Sequence, residues 1–334
     1  MKRALTYGLA GLLGIFLSLL ALAYWISQPL AGFQSASLLA GPDRFSPEAL
    51  RTHVEFMCAN VARRHHARPA TLKLAANYIE ENLRASGARV VVDEFEVDGQ
   101  RYRNVIGRFG ATGLPQIVLG AHYDVDEDSG CGADDNASGV AGLLALAANL
   151  GKMPPTKAVE IVFYTLEEPP YFATAQMGSR RHAAQLAQAG AQPALVLVLE
   201  MIGYFDQAPG SQRYPLPGMG WLYPQTGNFI ALAGEFSAAQ LTAETKQAMI
   251  SSMRLPVHSI NAPAWVPGMT FSDHASYWQH GIPAQMLTDT AFYRNPNYHR
   301  TDDRPETLNY QLMAQAMVGV ASAVRHFDTK DSQR

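Results

Sequence analysis

Histidine and carboxylate side chains stand at the ends of apolar runs in this chain, a placement suited to metal-assisted hydrolysis. Gly120-Ala-His-Tyr-Asp124 is followed by Gly132-Ala-Asp-Asp-Asn-Ala-Ser-Gly139 and then by the pair Glu167 and Glu168. Imidazole nitrogen and carboxylate oxygen suit zinc, so these residues read as half of a two-metal site. Residues 116–120 and 159–166 are short, apolar and β-rich, and are expected to be buried strands that deliver His122 and the glutamate pair. A third run, 194–199, ends in Glu200, and a fourth, 282–287, ends near Asp289. In an open α/β sheet, ligands lie outside the carboxyl ends of the strands, so the three strands delivering His122, the Glu167–Glu168 pair and Glu200 would point at one crevice. Any one of them alone could be an ordinary solvated loop residue; their repetition argues for a site.

A missing ligand is expected from the polar segment 295–302, where His299 stands ahead of a helical stretch over 310–327. Of the other histidines, His65 and His66 sit in an arginine-rich stretch, and His182, His280 and His326 lie in expected helices. These read as surface or packing residues. His274, within Ser272-Asp-His-Ala-Ser276, is a candidate for supporting the site through a hydrogen bond.

The elements that must carry these groups are legible in part. Helices are expected over 46–63 and 70–86, the second with Leu72, Leu74, Ala75, Tyr78, Ile79 and Leu83 at helical spacing and Gly87 as its stop. Strands over 90–97 and 102–109 flank Asp98-Gly99, a hairpin signal. Residues 139–150 form an Ala/Leu-rich helix whose positive end would lie near the carboxylates. Strands alternating with helices predict a three-layer α/β/α fold with a mixed, mainly parallel central sheet. The Pro/Gly/aromatic stretch between Asp206 and Gln225 reads as a loop over the cleft. Trp265, Phe271, Trp278 and Tyr293 are candidates for an apolar pocket, although aromatics in such a domain also build the core.

With 334 residues, 48% of them hydrophobic and 16% charged, the chain is long enough for one large α/β domain or two small ones. A net charge of −3 and the absence of a basic stripe exclude a nucleic-acid partner. The expected organisation is an N-terminal segment over 1–28, a linker over 29–45 and a catalytic domain over 46–330. Lys2 and Arg3 precede an uncharged stretch, 4–26, long enough to span a bilayer as an anchor. Ala21-Leu-Ala23 has the small-x-small form of a cleavable signal, which would leave the protein secreted. Both readings place the body outside the cytoplasm, on the periplasmic or extracellular face. Cys58 and Cys131 are compatible there with a disulfide, or with a buried thiol and a free loop thiol.

The ordered set His-x-Asp, Gly-Ala-Asp-Asp-Asn-Ala-Ser-Gly, Glu-Glu, Gly178-Ser179, Leu199-Glu-Met-Ile-Gly-Tyr204, Ser272-Asp-His274 and Tyr298-His299-x-x-x-Asp303 resembles the zinc aminopeptidases of peptidase family M28. The likeness runs over roughly residues 50–327. It implies two zinc ions per chain: His122 and Glu200 on one, Glu168 and His299 on the other, and Asp135 bridging both. Also implied are a cis peptide between Asp135 and Asn136, and Asp124 as the carboxylate that orients His122, with Asp273 and His274 as further supporting groups. By the same resemblance Glu167 is the general base, Tyr298 a donor to the oxyanion, and the substrate a peptide cleaved at its N-terminus. Two features depart from the family pattern. Glu200 stands where well-known members have Asp, and Pro169-Pro-Tyr-Phe172 follows the glutamate pair where glycine-rich sequence is usual. Alternative readings are a glutaminyl cyclase, a carboxypeptidase, or a peptidase-like ectodomain without catalysis.

Overall fold

Asp98 and Gly99 both take positive φ, 50° and 74°, and close a two-residue turn of the kind that matches strand twist. They join β1 (Arg89–Val97) to β2 (Gln100–Phe109) with Val97 opposite Gln100. The structure is a computed structural model that describes residues 2–28 and 45–330. The expected linker, apart from Phe45, lies outside the described residues.

Six further strands complete one sheet: β3 (Ile117–His122), β4 (Val159–Tyr164), β5 (Leu195–Glu200), β6 (Ile230–Glu235), β7 (Val257–Ala262) and β8 (Gln285–Thr288). Their order is β1-β2-β4-β3-β5-β8-β6-β7. The central four, β4, β3, β5 and β8, are parallel, and β2 and β6 join them antiparallel. Because β4 and β5 flank β3 on opposite sides, the chain reverses direction across the sheet at β3, and a crevice opens at the carboxyl ends there.

Successive strand residues face opposite layers, which is why the central strands are buried throughout. Leu119, Ile161, Leu197 and Leu287 pack with α2 (Pro47–Asn60), α3 (Pro69–Ala85), α4 (Gly139–Lys152), α6 (Ala239–Ile250) and α8 (Tyr310–Thr329). Val118, Val162 and Val196 meet α5 (Gly178–Gln188) and the short α7 (His274–Trp278) on the other face. The expected helices and strands all occur, with shifted ends. Pro283 falls outside β8, consistent with its missing N–H, and His280 lies in the turn after α7, not in a helix.

The N-terminal helix α1 (Lys2–Ser27) includes an apolar span, Tyr7–Ser27, of mean hydropathy 2.2. Its last turn meets the sheet edge, where Asn261 Nδ2 donates to the Trp25 carbonyl and Ser259 Oγ to that of Ser27, 3.3 and 3.0 Å. A disulfide joins Cys58 in α2 to Cys131 in the loop after β3. An apolar N-terminal helix and a disulfide point together to the secretory pathway.

Candidate metal centre

The loop after β3 carries the centre's middle. Gly132 takes φ +55°, and a Cβ there would sit 2.0 Å from the Asp135 carbonyl oxygen, so only glycine permits this turn. The chain then makes one π-helical turn, Ala133–Ser138, before α4, and the Asp135–Asn136 peptide is cis. Asp303 holds the turn from below, its carboxylate accepting from the backbone N–H groups of Asp134 and Asp135 at 2.9–3.1 Å. Asn136 ties it to β5, donating to the Leu199 carbonyl and accepting from Met201 N–H.

Asp135 thereby presents one oxygen to each of two histidines. Its Oδ1 lies 3.3 Å from His122 Nε2, which is also 3.3 Å from Glu200 Oε2. Its Oδ2 lies 3.2 Å from His299 Nε2, which is 3.3 Å from Glu168 Oε2. None of these close approaches is a hydrogen bond, since His122 Nε2 and His299 Nε2 are buried without partners, and the other Glu168 oxygen, Oε1, is unpartnered too. Zinc bonds of about 2.0–2.1 Å in tetrahedral array place neighbouring ligand atoms roughly 3.4 Å apart. The donor set and its unpartnered atoms therefore fit a pair of divalent ions.

The charge balance supports the same fit. Asp135, Glu167, Glu168, Glu200 and Asp273 are all buried around two imidazoles. Burial, with Asp135 alongside, pushes the Glu168 carboxyl up to about 8, and burial with Glu168 and Glu200 nearby holds that of Glu167 well above its ordinary value although His122 opposes this. Burial also opposes ionisation of Asp135, yet the two histidines pull its carboxyl below the usual range. His299 rises to about 11 because Asp135 and Glu168 outweigh its burial. Such a concentration of buried acid calls for cations.

Other expected residues occupy varied positions. Asp124 faces His122 Nδ1 at 3.7 Å, beyond hydrogen-bond range, while its oxygens accept from the backbone N–H groups of Glu167 and Glu168 at 3.3 and 3.1 Å. It thus fixes the glutamate pair as well as facing the ring. Asp273 is buried with both oxygens unpartnered. His274 Nε2 donates to the Met269 carbonyl at 2.9 Å, so its hydrogen bond reaches backbone and not a ligand. Tyr298 stacks on the His299 ring, centroids 3.8 Å apart.

Sequence reasoning missed several supports. Ser272 Oγ donates to Glu200 Oε2 at 2.7 Å, and Asp126 Oδ2 stands 3.8 Å from His299 Nδ1. Buried Arg64 donates to the carbonyls of Tyr123, Cys131 and Gly132, bracing the metal loop. Asp126 was discernible as a third member of His-x-Asp-x-Asp; nothing local distinguishes Arg64 from its arginine neighbours. His182, read as surface or packing, is buried and bonds Glu160 and Tyr277.

An apolar cleft leads away from the centre, with Glu200 and Tyr298 at one end and Ala231, Met286, Phe271 and Tyr293 along its length. Of the four aromatics considered for such a pocket, Phe271 and Tyr293 line it. Trp265 projects into solvent, 75% exposed, and Trp278 packs on His274.

Residues 104–324 match the model of peptidase family M28. The chain is 45% identical over 291 residues to the uncharacterized protein YfbL of Escherichia coli (strain K12), covering 85% of this chain and 89% of that one. It is 25% identical to a probable leucine aminopeptidase of Trichophyton verrucosum, covering 72% of this chain and 62% of the relative's length. In fold it is similar to BSAP, a zinc aminopeptidase from Bacillus subtilis, with TM-score 0.66 at 14% identity over 84% of this chain and 95% of that one. The glutaminyl cyclase of Porphyromonas gingivalis gives 0.61 at 20% identity, over 87% and 99%.

Proposed function

As the chain belongs to peptidase family M28, we propose that its centre is that of a two-zinc aminopeptidase acting on peptides with an apolar N-terminal residue. The observation that carries this reading is Asp135, whose two oxygens stand 3.3 and 3.2 Å from His122 and His299. His122 and Glu200 would hold one zinc, Glu168 and His299 the other, and Asp135 both. Bound there, the metals supply Lewis acidity that makes water nucleophilic at neutral pH and polarises the scissile carbonyl.

The chain's own groups do the rest. Glu167, within 4.8 Å of ligand atoms of His122 and Glu168, takes the attacking water's proton in this reading and returns it to the leaving amine. Tyr298, whose hydroxyl burial keeps protonated, donates to the developing oxyanion. The substrate's α-ammonium meets the surrounding carboxylates, and its side chain enters the apolar cleft.

The apolar helix α1 serves as an uncleaved anchor that holds the 46–330 domain outside the cytoplasm. The cyclase reading shares this fold, but the largely apolar cleft suits a hydrophobic side chain better than a carboxamide. A binding-only module would not need the ligands and Glu167 together. The test is zinc content of the purified protein, followed by hydrolysis of aminoacyl-p-nitroanilides with and without chelator. Chelator-sensitive release from leucyl or phenylalanyl substrates is expected; cyclisation of N-terminal glutamine, or cleavage only at carboxyl termini, would overturn the assignment.

A further inference from the structure

We propose that His65, His66 and Glu127 form a separate site for one first-row transition-metal ion where the loop after α2 meets the loop after β3. Glu127 Oε1 lies 3.7 Å from His65 Nδ1 and 3.4 Å from His66 Nε2. One ligand atom from each of the three falls within 4.8 Å of the others. These separations approach the roughly 3.4 Å between neighbouring ligands of a tetrahedral ion. His65 Nδ1 is shielded from solvent and has no hydrogen-bond partner, the same condition as the nitrogens of the dinuclear centre. The two centres share no ligand.

The backbone brings these side chains together independently of any ion. Arg63 N–H donates to the Gly130 carbonyl at 3.2 Å and Val125 N–H to the Arg64 carbonyl at 3.3 Å, so the loop after α2 is laced to the loop after β3. Arg64 and the Cys58–Cys131 disulfide lock the same two segments. The His66 ring is further confined by an edge contact with Tyr171, centroids 5.4 Å apart. A site with little left to organise loses less on binding.

The donor chemistry selects the ion class. Two imidazoles and one carboxylate favour zinc, copper or nickel over calcium or magnesium, which prefer oxygen ligands throughout. The bound ion would clamp the loop that leads to Asp135 onto the end of α2, acting on the stability of the metal loop and not on the chemistry.

The test uses the full-length chain in detergent, without a histidine tag, stripped of metal and titrated with Zn²⁺. Wild type is expected to bind one equivalent more than the His65→Asn/His66→Asn variant, whatever the main centre holds. Glu127→Gln, a change at an exposed side chain, should weaken that equivalent by about tenfold or more. Cu²⁺ added to zinc-loaded protein should show nitrogen coupling in its electron paramagnetic resonance spectrum, lost in the histidine variant. Equal stoichiometry in wild type and variant, or a Glu127→Gln protein that binds as wild type does, would overturn the proposal and leave an ordinary histidine–carboxylate ion pair.

Discussion

The cleft has two unlike ends. At the carboxyl ends of β3, β4 and β5 it is buried and acidic, with ligand atoms of His122, His299 and Glu168 left unpartnered while the backbone and side chains around them are braced from distant segments. Over β6 and β8 it is apolar, floored by small residues such as Ala231 and walled by loops carrying Phe271 and Tyr293. Under the proposed function, the contrast assigns reaction and selectivity to separable parts. One end demands a fixed set of side chains, while the other demands only a shape.

Four experiments would break or sharpen that division, the largest effect first. Removal of metal with chelator should abolish hydrolysis altogether and leave the apolar end intact, so a fluorescent apolar ligand should still bind. Glu167→Gln should lower kcat by about 10²–10⁴, the range for loss of a general base, with zinc content unchanged. If the variant turned over normally, the proton would be carried elsewhere. Replacing Cys58 and Cys131 by Ser should cost about 2–4 kcal/mol of stability, read by denaturant unfolding, while the folded fraction keeps its specific activity. Ala231→Phe, which fills the floor of the cleft, should lower kcat/KM for leucyl relative to alanyl substrates by about tenfold or more, with little change in kcat for alanyl. An equal loss on both substrates would show that the two ends are coupled.

The acidic end was far more legible than the apolar one. Residues 116–120, 159–166 and 194–199 declare themselves as strands because short, mainly apolar β-rich runs suit burial on both faces, and the ionisable residue at or just past each run's end falls at the carboxyl edge of the sheet. His299 was found as an isolated histidine in a polar loop. By contrast β6, α6 and β7 were not anticipated. β6 is alanine- and glycine-containing, and α6 mixes Thr, Lys and Gln among its apolar residues, so neither carries a strong period. The four aromatics could not be sorted into lining, packing and exposed residues, since a side chain's surroundings come from strands and loops far away in sequence.

What the sequence determined by itself was the inventory: a mainly parallel sheet, an apolar N-terminal helix, and the acids and histidines at strand ends, all of which follow from near-neighbour pattern and residue chemistry. Tertiary structure alone decided which of Asp135's oxygens meets which histidine, that Cys58 pairs with Cys131, and that Arg64 and Asp303 brace the loop between them. The reason is distance along the chain. Asp303 reaches Asp134 across 169 residues and Ser272 reaches Glu200 across 72, and no local period encodes contacts made only when separate layers pack together.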